Sequence, residues 1–330
     1  MPTVSIIIPA YNAESTLGAC IEACLKQSRP DQLDATLEIL VVDDGSTDST
    51  AAIAQRYPGV RYIRQENAGP AAARNCGAKA AIGDVLAFTD SDCVPRSDWV
   101  ERLLCGFEEG VGGVGGTYDI ENPEYRLARL VHYEIQARHA AFGREVDFLG
   151  SFNVAYARGA FEVVGGFNEE FREASGEDNE LAYRLHDQGW KLHFQPDAIV
   201  GHVHPSRLFS YLRAQKKHGY WRVRLYRLHP NRATGDRYAG KIDLWTPALL
   251  ILLLALLPLT LLGWCPGWYM VACAMAYAGL RATLVWKLLH DTRHAEVLWF
   301  WPLGILRDGA RAAGLLHGIW AFRRCRKPQK

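Results

Sequence analysis

The chain has 330 residues and no C-x-x-C pair or framework spacing among its eight cysteines, Cys20, Cys24, Cys76, Cys93, Cys105, Cys265, Cys273 and Cys325. That argues against a disulfide scaffold, and the cysteines are expected to be reduced thiols on the cytosolic side. Cys20 and Cys24 stand four apart on a predicted helix face, but with no further soft ligands at suitable spacing they are read as packed thiols. The opening Pro2-Thr3-Val4 shows no basic n-region, apolar h-region or cleavage site, so no secretory leader is expected. Charge of one sign is missing too, since the formal net charge is only +1. That balance hides an asymmetry: roughly 17 basic against 31 acidic residues up to His204, then about ten basic against one acidic from Pro205 to Ile242. The composition, 49% hydrophobic and 22% charged with 30 Gly and 15 Pro, is neither disordered nor collagen-like. The length permits one large domain or two modest ones.

Two short apolar runs, Val4 to Ile8 and Leu37 to Val42, are predicted as buried strands, ended by Pro9 and by Asp43-Asp44-Gly45. Between them Glu14 to Lys26 has helical spacing, and Ser46 to Ser49 supplies caps before a helix over Thr50 to Tyr57. Val60 to Ile63, the Ala-rich helix Pro70 to Ala81, and the strand Val85 to Thr89 continue the alternation, which predicts an α/β fold on a mostly parallel sheet. Polar clusters follow three of these strands, at the carboxyl ends where open α/β sheets bind ligands. Further along, a helix is expected over Asp98 to Gly110, a Gly-rich strand over Val111 to Thr117, and a helix over Glu124 to Phe142. A strand over Phe152 to Ala157, a short helix over Gly159 to Val164, a helix over Glu177 to Gln188 and a strand over Lys191 to His204 follow.

Leu244 to Leu280 contains no Asp, Glu, Lys or Arg and is broken by Pro258 and by Gly263 to Gly267. A bilayer core needs about 20 apolar residues per helix, so this stretch is read as two spans, Leu244 to Leu262 and Trp268 to Leu288. The alternative is a buried pair of core helices. The basic segments Arg207 to Lys241 and Arg323 to Lys327 place both flanks in the cytosol. Val297 to Phe322, interrupted by Pro302, Arg307, Asp308 and Arg311, is expected to lie in the interface, since a third span would put the basic tail outside. The expected divisions are 1–204, a cytosolic catalytic domain; 205–243, a basic amphipathic segment; 244–289, a transmembrane hairpin; and 290–330, an interfacial helix and basic tail.

Gly110-Val111-Gly112-Gly113-Val114-Gly115 satisfies G-x-G-x-x-G, but it follows a predicted helix and opens none, so it is read as a strand that tolerates close backbone approach. Asp90-Ser91-Asp92 has more chemical weight. Two carboxylates where the chain leaves the sheet suit a divalent cation bound to a diphosphate, although a lone D-x-D also serves as a turn or helix cap.

Taken with Pro9-Ala10-Tyr11-Asn12, Asp43 to Asp48, and Glu66 to Gly77, this pattern resembles the family 2 glycosyltransferases of the GT-A fold, over about Val4 to His204. The resemblance implies a membrane-anchored, non-processive transferase in cell-envelope polysaccharide biosynthesis. It implies that Pro9, Tyr11 and Asp43 hold the base and ribose of a nucleotide, that Asp44 and Arg74 lie near the ribose and phosphates, and that Asp92 binds Mn²⁺ or Mg²⁺ with Asp90 beside it. Gly165-Gly166-Phe167-Asn168-Glu169 and Gly176-Glu177-Asp178-Asn179-Glu180-Leu181 also match the family, in which the second acid of the pair is the general base, here Asp178. Glu177 is then placed beside the sugars. A carboxylate is what inverting transfer needs, because the acceptor hydroxyl loses a proton as it attacks the anomeric carbon. His202, more than His204, matches the position that completes the metal site.

The Q-x-x-R-W signature of processive synthases is absent, which favours transfer of one sugar. The expected donor is a nucleotide-diphosphate sugar, UDP- ahead of GDP- or dTDP-. The expected acceptor is a membrane lipid or lipid-linked glycan, because the basic, aromatic Leu208 to Leu228 suits the anionic leaflet better than a nucleic acid. Two other classes stay open: a sugar nucleotidyltransferase, which lacks a phosphate loop here, and a non-catalytic sugar-nucleotide-binding membrane protein. Glu134, Arg144 and Asp147 stand in a region where motif matching fails.

Overall fold

The computed structural model describes residues 2–28, 35–232 and 241–324. These fall into two compact units, 1–122 with 139–204, and 123–138 with 205–330. The expectations for residues 233–240 and for the basic tail beyond Arg324, Cys325 included, lie outside the described residues.

In chain order the first unit carries β1 (Thr3–Ala10), α1 (Leu17–Leu25), β2 (Thr36–Asp43), α2 (Thr50–Ala54), β3 (Val60–Arg64), α3 (Pro70–Ala80), β4 (Val85–Thr89), β5 (Cys93–Pro95), α4 (Trp99–Leu104) and β6 (Val111–Ile120). After α5 (Arg126–His139) come β7 (Asn153–Ala157), α6 (Arg158–Val163), α7 (Glu177–Asp187) and β8 (Lys191–His202). The eight strands form one sheet in the order β3-β2-β1-β4-β7-β6-β8-β5. Strands β3, β2, β1 and β4 are parallel, as the strand-helix alternation predicts. Strand β7 runs antiparallel between β4 and β6, so the second half of the sheet is mixed. Val4 to Ala10 is buried throughout, because helices cover both faces of the central strands. The Ala-rich α3 starts at Pro70, whose missing N–H costs nothing at that position. It packs so closely that a Cβ on Gly77 would lie 2.4 Å from Ile7.

The second unit contains α5, which chain order places inside the first domain, together with α8 (Leu208–Leu228), α9 (Lys241–Leu261), α10 (Gly267–Thr292) and α11 (Phe300–Ala321). Leu130 and Ala137 of α5 join Tyr211, Val285, Leu288, Val297, Phe300 and Leu303 in one apolar cluster. Beside it lies an ionic network. Arg307 donates to Glu134 at 2.6 and 2.8 Å, Arg138 reaches both Glu134 and Asp243 at 2.7 Å, and Tyr277 donates to Asp308 at 3.0 Å. Burial works against the Glu134 charge, but Arg307 and Arg138 more than offset it and hold its pKa down to about 2. Gly304 leaves room for Arg281, whose guanidinium would sit 1.3 Å from a Cβ there and which donates to the Phe300 carbonyl at 2.7 Å.

Helices α9 and α10 include two segments long and apolar enough to cross a membrane, Ile242–Leu261 and Gly267–Thr292, with mean hydropathies of 2.3 and 1.2. Only 11% and 22% of their most apolar windows are buried. Their apolar side chains are therefore mostly exposed, unlike those of a buried core pair.

Candidate active site

Because β2, β1 and β4 are adjacent and parallel, their carboxyl ends bring three polar clusters to one edge of the sheet. Pro9 is buried at the end of β1, and the Tyr11 ring beyond it is 54% exposed, a free face for stacking on a planar base. Asn12 follows in the left-handed region at φ 49°, which its short side chain tolerates. Asn12 accepts from the Thr47 N–H at 2.9 Å and its own N–H donates to Ser46 Oγ at 2.9 Å, tying the two loops together.

Asp43 is fully buried and accepts from the Ser46 N–H at 2.8 Å and the Tyr62 hydroxyl at 2.7 Å. Burial alone would raise its pKa; these hydrogen bonds and the Arg64 charge win, and the carboxylate is held below its ordinary value. Asp44 is also buried, and its oxygens accept from the backbone N–H groups of Ala68 and Gly69 at 2.9 Å and from Gln65 at 2.7 Å. It shapes the loop that enters α3.

The cation end is built by strand register. Cys93 of β5 pairs with His202 of β8, which sets Asp92 beside the imidazole, His202 Nε2 lying 3.6 Å from Asp92 Oδ2. Donor atoms of Asp92, Cys93 and His202 lie within 4.8 Å of one another. Burial, with the nearby charges of Asp92 and Asp90, pushes the Cys93 thiol well above its ordinary pKa, which disfavours a thiolate ligand. The oxygen and nitrogen donors that remain fit a hard divalent cation such as Mn²⁺ or Mg²⁺. His202 turns its other nitrogen, Nδ1, to His204 Nδ1 at 3.1 Å. His204 is buried, its backbone N–H donating to Asn122, so His202 is the histidine that faces Asp92.

At the opposite side, Gly176 adopts φ 95° and starts α7, whose first turn holds Glu177, Asp178 and Glu180. Glu177 is buried and burial raises its pKa. Asp178 is half-buried and accepts from the Asn179 N–H at 2.8 Å. Burial first, and then the Glu177 charge, pushes Asp178 up to about 7, where a carboxylate serves as a base near neutral pH. Arg74 is 1% exposed and donates to Glu177 at 3.0 Å and to Asp90 at 2.7 Å. Burial would lower its pKa, but the two carboxylates raise it and keep it charged.

All the residues read from the sequence as site residues lie in the first unit. Glu134 does not; it belongs to the ionic network of the second unit. Arg144 makes an ion pair with Glu108 at 2.7 Å. Several contributors escaped sequence reasoning. Tyr118 stacks on Phe152 with ring centres 3.5 Å apart and lies 4.8 Å from the His202 ring. Asn153 accepts from Trp99 at 2.7 Å and donates to the Thr117 and Ala198 carbonyls, locking three strands and α4 together. The Tyr156 hydroxyl is buried without a hydrogen-bond partner among the described residues, and burial followed by the Asp178 charge raises its pKa. No local spacing marks these residues. Asn75, by contrast, stands in the Arg74-Asn75-Cys76-Gly77 motif; it donates to the Phe167 carbonyl at 2.8 Å and accepts the Phe167 N–H at 2.9 Å.

The family model described as glycosyl transferase family 2 matches residues 5–165. The chain is similar to the glycosyltransferase AglE of Haloferax volcanii, at 33% identity over 64% of this chain and 70% of that protein. It is also similar to the pre-mycofactocin glycosyltransferase of Mycobacterium tuberculosis, at 29% identity over 69% of this chain. It spans about half of that protein's length (48%), as it does of the validoxylamine A glucosyltransferase of Streptomyces hygroscopicus (49%). Among solved structures, the mannosyltransferase PcManGT from Pyrobaculum calidifontis, in complex with GDP-Man and Mn²⁺, shares the fold with a TM-score of 0.61. It is 20% identical, over 97% of this chain and 88% of that one.

Proposed function

The chain belongs to glycosyl transferase family 2 and has its GT-A fold, and on that premise we propose that it moves one sugar, with inversion, from a nucleotide-diphosphate sugar to a hydroxyl of a membrane-associated acceptor. The observation that carries this reading is that Arg74 bonds both Asp90, two residues from Asp92, and Glu177, the neighbour of the half-buried Asp178, which brings the Asp92–His202 pair and that carboxylate to one site.

Tyr11 stacks on the base beside Pro9, the buried Asp43 and Asp44 hold the loops that receive the nucleoside, and the diphosphate is directed to Asp90 and Asp92. Asp92 and His202 would hold the divalent cation, which supplies charge stabilisation for the leaving diphosphate. Asp178 accepts the proton of the acceptor hydroxyl as its oxygen bonds to the anomeric carbon and the bond from that carbon to the diphosphate breaks. One displacement inverts the centre, and no second carboxylate nucleophile is required. Glu177 keeps the Asp178 pKa high, so the base is strong enough to receive that proton near neutral pH.

The acceptor class rests on the second unit. Two exposed apolar helices and the basic residues of Leu208–Leu228 support the reading of a bilayer with an anionic cytosolic leaflet, an orientation in which the catalytic unit faces the cytosol. A lipid or lipid-linked glycan is then the expected acceptor. The test is nucleoside-diphosphate release by the detergent-purified full chain over UDP-, GDP- and dTDP-sugars, GDP-Man included, with and without lipid extract and Mn²⁺. Cation-dependent release stimulated by the lipid fraction supports the reading. A water-soluble acceptor that outperforms every lipid fraction overturns the acceptor class, and pyrophosphate release from a nucleoside triphosphate overturns the reaction.

A further inference from the structure

The segment from Val164 to Gly176 leads from α6 to the helix carrying Asp178; α3 and the Gly69 before it hold this segment at two points and the first residue of α7 at a third. Gly69, at φ +97°, lies so close that a Cβ there would stand 2.6 Å from the Arg172 carbonyl oxygen. Asn75 brackets Phe167 with two hydrogen bonds and donates to Glu169 at 2.9 Å. Arg74 donates from Nη1 to Glu177 at 3.0 Å, while its Nη2 donates to Asp90 at 2.7 Å. One guanidinium thus joins the turn that carries Asp92 to the first residue of α7, across 16 residues of chain on one side and 103 on the other.

Building on the reading of Asp178 as base, we propose that Arg74 is a positioning residue that sets the distance between the base helix and the cation end of the crevice, and that it does not ligate the nucleotide. The side chain is 1% exposed, both terminal nitrogens are taken by carboxylates, and its guanidinium lies 5.5 Å from the centre of the Phe167 ring. Its Nε is buried with no hydrogen-bond partner among the described residues, so a phosphate could bond this side chain only by opening the packing around it or by displacing Asp90 or Glu177. A planar fork bonds two partners in fixed directions, which an ammonium cannot reproduce, so Arg is specified here by geometry as well as charge. The arrangement also makes chemical sense: base and leaving group belong to different elements, and misplacement by about 1 Å costs on the order of 100-fold in rate.

The experiment is a double-mutant cycle in the full chain in detergent, at pH 8.5 so that Asp178 is ionised in every variant. It compares Arg74→Lys, Glu177→Gln and the double variant, with kcat, donor KM and calorimetric binding of the nucleoside diphosphate with Mn²⁺ as readouts. Each single substitution is expected to lower kcat by about 10- to 100-fold, the double variant to be no more than about 3-fold worse than the poorer single, and nucleotide Kd to stay within about 3-fold of wild type. Glu177→Gln is nearly isosteric and carries the test if Arg74→Lys folds poorly by melting temperature. Losses that multiply in the double variant overturn the proposal. So does an Arg74→Lys protein that weakens nucleotide binding about 10-fold or more while Glu177→Gln leaves binding and kcat unchanged, since that identifies a nucleotide ligand. Asp178→Asn run alongside separates the two ideas: full turnover in that variant defeats the assignment of the base, whatever the cycle shows.

Discussion

Glu177→Gln offers a way to see the proposed base, Asp178, titrate. Asp178 is pushed up to about 7, first by burial and then by the charge of Glu177, with Arg74 and the Asn179 N–H opposing. Substituting glutamine keeps the shape and the burial and removes the like charge. Carboxylates on adjacent residues sit on the order of 6 Å apart, and at an effective dielectric of about 20 their repulsion amounts to roughly 2 to 3 kcal/mol, or about 1.5 to 2 pH units. The acid limb of the kcat profile should therefore fall from near pH 7 toward about 5.5. The ratio of rates at pH 6 and pH 8 is the cleanest readout, because a constant loss from disturbing Arg74 cancels within each variant. For a base titrating at about 7 that ratio is roughly 0.1, and at about 5.5 it is roughly 0.8, an eightfold change. The assay is nucleoside-diphosphate release at saturating donor and fixed Mn²⁺ between pH 5 and 9. A wild-type profile flat over that range, or a limb that stays near pH 7 in Glu177→Gln, refutes the reasoning.

The same raised pKa makes Asp178 costly to the fold. Its ionised form is disfavoured in the folded state, so the penalty is absent below the unfolded value of 3.8, grows as pH rises, and is complete above about 7. Asp178→Asn is thus expected to raise stability at pH 8 by up to about 4 kcal/mol and to change it little at pH 3.5, as read by urea unfolding. In the second unit, Glu134→Ala leaves Arg307 buried without its closest carboxylate and should cost about 3 to 5 kcal/mol, seen as a lower melting temperature in detergent. Gly69→Ala forces a Cβ against the Arg172 carbonyl at a positive φ and should cost about 1 to 3 kcal/mol of stability together with a loss of kcat.

The parallel half of the sheet was legible because its strands are continuous apolar runs with turn chemistry at their ends; Val4 to Ala10 and Val85 to Thr89 have few alternatives. The site was legible to the same extent, since Asp43, Asp90 and Asp92 stand where those strands stop. The mixed half was harder. That β7 runs antiparallel between β4 and β6 follows from long-range pairing that Asn153 to Ala157 does not announce. The same holds for Tyr118 and Phe152, 34 positions apart in the chain and stacked beside His202. Helix α5 was found at the right place in the sequence, but nothing in its spacing tells that Glu134 and Leu130 pack with α8 to α11 rather than on the sheet. Arg74 shows a different gap. Its motif marks it as a site residue, but only coordinates reveal that both ends of its guanidinium are already engaged.

The proposed reaction needs Asp178 as the base and Asp92 with His202 to hold a divalent cation. The most direct measurement sets Asp178→Asn beside Asp92→Ala in the detergent-purified chain, recording sugar transfer and Mn²⁺-dependent nucleoside-diphosphate binding on the same samples. Asp178→Asn should bind the nucleotide as wild type does and lose turnover by about 1,000-fold or more, whereas Asp92→Ala should lose the Mn²⁺ dependence of binding itself. Turnover within about 10-fold of wild type in Asp178→Asn, or unaltered Mn²⁺-dependent binding in Asp92→Ala, would contradict it.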